Sequence, residues 1–98
     1  MAGRSYRLHP DAEADLVGGA EWYESRRAGL GLEFIAAVQT RIDAVVEAPQ
    51  RWRRVGNARR ALIPRFPYAI VYRERDDGEI EILAVAHLSR RPGYWAQR

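Results

Sequence analysis

An α+β domain, with an N-terminal α-helical hairpin packed on a small antiparallel β-sheet, is the fold this sequence predicts. Three observations carry that reading. The first half holds two segments with apolar residues at helical spacing, separated only by Ala28-Gly29-Leu30-Gly31. After Arg59 the chain turns to short runs rich in β-branched and aromatic residues. Between the last two runs stands Arg75-Asp76-Asp77-Gly78-Glu79, and Asp-Gly tolerates the positive φ angles of a tight hairpin turn. Helices followed by strands, rather than alternating with them, favour segregated layers. The chain has 98 residues, enough for one domain over 1–98.

Tyr6-Arg7-Leu8 reads as a short opening strand. His9-Pro10-Asp11 reads as a helix start, because proline suits the first helical position and Asp11 and Glu13 favour the positive end of the helix dipole. Ala12, Leu16, Ala20 and Tyr23 keep helical spacing as far as Arg26 or Arg27. Gly18-Gly19 weakens this helix, by about 1 kcal/mol per glycine relative to alanine, and leaves room for another element to approach. A second helix is expected from Leu32 to Glu47. Its apolar stripe is Ile35, Val38, Ile42, Val45 and Val46, with Phe34 beside it, and Pro49 stops it. The short connection makes the helices antiparallel neighbours. Gln50 to Ala58 reads as a polar loop containing Trp52. Strands are expected at Arg60–Pro64, Tyr68–Glu74 and Ile80–Leu88. Strict alternation puts Ile80, Ile82, Ala84, Ala86 and Leu88 on one face of the last strand, and Leu83, Val85 and His87 on the other. Tyr68, Ile70 and Tyr72 share a face of the middle strand. Two helices cover one face of the sheet; either the chain ends cover the rest or apolar surface, tyrosines included, is left for a partner.

Composition narrows the function. There is no cysteine, which excludes disulfides and thiolate metal sites, and the two histidines, His9 and His87, lie far apart. No metal and no cofactor are expected. The absence of a long apolar run and of a signal-peptide pattern predicts a soluble cytoplasmic protein away from the membrane. All 16 basic residues are arginine. The residues through Gln50 hold five arginines against eight acids, and the remainder eleven against five, giving halves near −3 and +6. Such asymmetry points the second half toward an anionic partner, nucleic acid or an acidic protein segment; it is also what a solvated surface built from arginine looks like.

Several phrases resemble one family. Arg65-Phe66-Pro67-Tyr68-Ala69-Ile70-Val71-Tyr72-Arg73 is similar to the strand signature of ParE-like toxins, as is Val85-Ala86-His87-Leu88-Ser89-Arg90-Arg91-Pro92-Gly93-Tyr94-Trp95. The first half agrees: His9 to Leu16 resembles the opening helix, Trp22-Tyr23-Glu24 with Gly29 to Phe34 the helix junction, and Ala48-Pro49-Gln50-Arg51-Trp52 the second-helix exit. The resemblance covers nearly the whole chain, in order. It implies a RelE/ParE superfamily toxin of a type II toxin–antitoxin system. It also implies a cognate antitoxin, ribbon-helix-helix and ParD-like, in a hetero-oligomer whose DNA contact and operon repression run mainly through the antitoxin. ParE-like members inhibit DNA gyrase; RelE-like members cut mRNA on the ribosome.

RNA cleavage through the 2′-hydroxyl needs a base, an acid and cations on the phosphate. In RelE-like nucleases the central strand usually carries an arginine where this chain has Ala69. A basic position on the preceding strand falls on Leu62, while Arg60 occupies the other. Were the chain a nuclease, His87 would be the base, Tyr94 the acid, and Arg91 and Arg60 the phosphate ligands. The competing reading makes His87 a strand end bonded to a neighbour. The missing cations favour a ParE-like toxin that works by binding rather than by catalysis. Its expected target-binding residues are Arg90, Arg91, Tyr94, Trp95 and Arg98, unless the two aromatics pack back onto the core. Tyr68, Tyr72, Arg73 and Trp22 are the expected antitoxin contacts, although Trp22, Tyr23 and Trp52 also read as structural pins. A basic nucleic-acid-binding module is the remaining alternative, without a recognition-helix or aromatic RNA-binding motif to support it.

Overall fold

A computed structural model describes residues 5–91 and 93–98. Two helices, α1 (Pro10–Arg26) and α2 (Leu30–Glu47), pack on a five-stranded sheet of β1 (Tyr6–Leu8), β2 (Arg53–Val55), β3 (Ala58–Leu62), β4 (Tyr68–Glu74) and β5 (Ile80–His87). The strand order is β1-β5-β4-β3-β2. The predicted helical hairpin and sheet are therefore present. Strands β2 to β5 are antiparallel, while β1 joins β5 in parallel, so the whole sheet is mixed. The parallel pair follows from topology: the chain crosses the whole sheet face through both helices before β5 returns beside β1.

α1 starts where Pro10 predicts, and the His9 imidazole caps it by accepting from the Asp11 N–H at 3.0 Å. α2 starts two residues earlier than its expected Leu32. The Glu24 carboxylate reaches back to accept from the N–H groups of Gly29, at 2.9 Å, and Gly31, at 3.0 Å, satisfying donors that a helix start leaves open. Gly31 is required there, since a Cβ would lie 2.6 Å from the Ala20 carbonyl oxygen. Gly19 does the same against Phe34, where a Cβ would come within 2.7 Å of the ring.

The main core lies between the helices and the sheet and holds Phe34, Val38, Ile42 and Val45 of α2 against Ile70, Tyr72, Ile80 and Ile82. Phe34 thus leads the buried stripe, and Ile35, expected in it, is 40% exposed because it sits about 100° further round the helix. Gln50–Ala58 is not all loop. Arg53–Val55 pairs with Ala58–Arg60 around Gly56-Asn57, with Gly56 at φ 63°. Gly-Asn is itself a two-residue hairpin signal. The pairing starts β3 at Ala58, two residues before the expected Arg60.

Strict alternation along β5 fails at one point. Val71 pairs with Ala84 but Tyr72 pairs with Ile82, so Leu83 is an extra residue, a β-bulge. Ile80 and Ile82 face the helices; beyond the bulge Val85 faces them, and Ala84 and Ala86 turn to the second face. A smaller cluster of Ala58, Val71, Leu83, Ala84 and Ala86 is covered there by Trp95 from a terminal 3-10 turn, Tyr94–Gln97. The chain end covers this cluster.

Candidate functional site

The C-terminal segment is built outward from β5. The Leu88 N–H donates to the Pro67 carbonyl at 2.8 Å and the Arg90 N–H to the His87 carbonyl at 3.0 Å, turning the chain at the strand end. His87 Nδ1 accepts from the Ser89 N–H at 3.0 Å and lies 2.7 Å from Ser89 Oγ. Its ring meets Tyr68 edge-on at 5.0 Å. His87 therefore closes a strand with a local turn. Among the described residues no cluster of three potential metal ligands exists.

The terminal turn is fastened by Arg98. Its guanidinium donates to Asp15 at 2.8 Å and to the Leu83 carbonyl at 2.9 Å, and its side chain is 14% exposed. The Asp15 hydrogen bond holds the Arg98 pKa above its ordinary value, against the opposing effect of burial. Trp95 is buried on the second sheet face. Of the five expected target contacts, Trp95 and Arg98 thus serve the fold. The other three are available. Tyr94 is half-buried between two guanidiniums, Arg90 at 4.1 Å and Arg98 at 5.0 Å. Burial raises its pKa, as does the Asp15 charge, with both arginines opposing. Arg90 and Arg91 are exposed without an ion pair to any described residue.

Of the expected nuclease residues, His87 and Arg60 lie on opposite faces of the sheet. His87 is registered opposite Tyr68 at the helix-covered face. Arg60 is registered opposite Val71, which faces the other way. Of the expected antitoxin contacts, Trp22 is 51% exposed, with the Arg26 guanidinium 4.4 Å above its ring. Tyr68 is half-buried and lines, with Gly18, Trp22 and His87, a cleft of about 550 Å³. Arg73 is exposed but paired with Glu81 at 2.8 Å. Tyr72 is a correction: it is fully buried, and its hydroxyl donates to the Pro49 carbonyl at 2.5 Å, so its side chain offers no surface. Trp52 is half-buried beneath Arg41 and does pin the loop to α2. Asp15, which anchors the tail, was not singled out by the sequence; an acid among the half-buried positions of α1 was the available signal.

The fold is a small α+β domain with two helices on one face of a five-stranded mixed sheet. Residues 6–92 match the family described as the ParE toxin of the type II toxin–antitoxin system parDE, and the chain belongs to that family. Its fold is similar to a chain from a chromosomal ParDE toxin–antitoxin system of P. aeruginosa, with TM-score 0.77 and 18% identity over 88% of this chain and 97% of that one. The search of curated proteins returns no match. Among the described residues no helix is long and apolar enough to cross a membrane.

Proposed function

We propose that this toxin acts in the cytoplasm by binding DNA gyrase through its C-terminal segment, without an active site of its own. A cognate ribbon-helix-helix antitoxin holds it inactive in a hetero-oligomer and carries the DNA contact that represses the operon. The observation that carries the reading is the tail itself. Arg98 and Trp95 fix the terminal turn to the domain, and on that fixed base the exposed Arg90 and Arg91 stand beside the half-buried Tyr94. An aromatic flanked by arginines is the composition that dominates binding hot spots. The separation of His87 from Arg60 by the sheet argues in the same direction, since phosphate cleavage needs its groups around one atom.

Purified toxin should inhibit gyrase supercoiling and accumulate cleaved DNA complexes, and Arg90→Glu/Arg91→Glu should lose both effects while remaining folded. Untouched supercoiling by the wild-type protein would remove gyrase as the target. Ribosome-dependent mRNA cutting that His87→Ala abolishes would install the nuclease reading instead.

A further inference from the structure

The packing of α1 leaves one glycine unexplained. Gly18 and Gly19 both weaken the helix, because glycine is the poorest helix former after proline. Gly19 is required, since a Cβ there would strike the Phe34 ring at 2.7 Å. A Cβ at Gly18 would meet nothing within 4 Å. The space beside it is a cleft of about 550 Å³, enclosed between Gly18 and the rings of Trp22, Tyr23, Tyr68 and His87. Small-ligand sites span roughly 300–1,000 Å³ and are lined mainly by apolar and aromatic groups with a few convergent polar ones.

The rings bring polar groups that the fold does not use. Tyr23 is 9% exposed and packs on Phe34 and Phe66, at 5.1 and 5.0 Å, yet its hydroxyl has no hydrogen-bond partner among the described residues. Burial alone raises its pKa. The Tyr68 hydroxyl is likewise without a partner among the described residues, and its pKa is raised by burial first and then by Tyr23, Asp15 and Tyr94. His87 adds a donor: Nδ1 accepts from the Ser89 N–H at 3.0 Å, so the neutral ring carries its proton on Nε2. Trp22, 51% exposed, adds an indole N–H, and the Arg26 guanidinium lies 4.4 Å over its ring without an ion pair to a described residue. No carboxylate lines the cleft among the described residues. Asp15, whose charge reaches Tyr68, is held by Arg98 at 2.8 Å.

Aromatic walls, hydrogen-bonding groups at their edges and a cation beside them are what a base and its phosphate require. We infer that this cleft receives a single unstacked nucleobase bearing a phosphate. Its ring lies against Trp22 and Tyr68. Its acceptors take the His87 Nε2–H and the Tyr23 and Tyr68 hydroxyls, and its phosphate meets Arg26. The bare backbone at Gly18 lets the base come close to α1. A hydrocarbon side chain from a protein partner fits less well, because it would fill the cleft and leave these polar groups unpaired. The inference does not rest on the gyrase reading, whose Arg90 and Arg91 lie outside the lining.

The test titrates the full chain by isothermal titration calorimetry with adenosine monophosphate, ribose 5-phosphate, a short single-stranded DNA and a phenylalanine-centred tripeptide. Adenosine monophosphate should bind about tenfold more tightly than ribose 5-phosphate, which carries the phosphate without a base, and than the tripeptide. Tighter binding by the DNA than by the mononucleotide would make a strand the source of the base, and equal binding would make it a free nucleotide; either result supports the site. Gly18→Leu should fill the cleft and weaken the mononucleotide at least about tenfold, yet melt no lower than wild type, because leucine is the better helix former. Tyr23→Phe keeps the ring packing and should weaken it about fivefold. Arg75→Gln, at the turn between β4 and β5, should leave binding unchanged. Ribose 5-phosphate binding as tightly as the mononucleotide, preference for the tripeptide, or undiminished binding by Gly18→Leu would each overturn the site. Gyrase inhibition is scored separately, so its absence removes the toxin mechanism and leaves the base site standing.

Discussion

Asp15 and Arg98 together stand in for a strand. β1 stops pairing with β5 at Leu8 opposite Ile82, which leaves the outer edge of β5 open from Leu83 onward. The Asp15 carboxylate accepts from the Val85 N–H at 3.1 Å, and the Arg98 guanidinium donates to the Leu83 carbonyl at 2.9 Å. The two side chains then join each other at 2.8 Å. A backbone edge that would otherwise be unpaired is closed by one residue from α1 and one from the chain end.

This arrangement ranks two substitutions. Asp15→Ala removes acceptors from both Val85 and Arg98, whereas Arg98→Ala leaves the Val85 bond in place. Asp15→Ala should cost about 2–4 kcal/mol and Arg98→Ala about half that. Urea denaturation measures both, and amide exchange at Ala96 and Gln97 should rise in each. Equal losses would mean that the Val85 bond contributes nothing.

The tail can be divided between folding and binding. Trp95→Ala opens the second sheet face and should cost about 3–5 kcal/mol in equilibrium unfolding. Arg90→Glu and Arg91→Glu alter exposed side chains and should stay within about 0.5 kcal/mol of wild type. A large stability loss from either arginine would show that its place is in the fold rather than at the target.

Gly18 and Gly19 should respond with opposite signs. An alanine Cβ at position 18 meets nothing within 4 Å, so Gly18→Ala gains helix propensity and should stabilise by up to about 1 kcal/mol. At position 19 the Cβ meets Phe34 at 2.7 Å and the Tyr68 hydroxyl at 3.3 Å, and Gly19→Ala should destabilise by about 1–3 kcal/mol. Thermal melts of the two single variants suffice to check the order.

Tyr72 gives the protein an alkaline limit. Burial pushes its pKa from 10.0 up to about 12, with Glu74 adding to the rise and Arg59 opposing it. The folded state thus holds the phenolic proton more tightly than the unfolded one. Its contribution is fully present below pH 10 and is lost as pH rises through about 12, a decline on the order of 2 kcal/mol. Stability measured across that window should fall more steeply in wild type than in Tyr72→Phe.

The sequence alone determined the layers, the start of α1 and the family. Pro10, Pro49, the Gly29–Gly31 junction and the Asp77-Gly78 turn act locally, through fixed φ angles and missing donors, and such effects do not wait for tertiary structure. The composition of β4 and the arginine asymmetry were legible for the same reason. What only the tertiary structure decided are relations between residues distant along the chain. The bulge at Leu83 re-aims half of β5, which no alternation of residue types announces. Trp95 and Arg98 read as exposed anchors until the second sheet face and Asp15 give them partners more than ten residues away. Arg53 reads as an ordinary basic residue, and Arg60 as a candidate phosphate ligand, until β2 sets them opposite each other. Side-chain type and spacing fix what a segment forms; whether a given arginine is spent inside the fold or left for a partner depends on which acid the packing brings within reach.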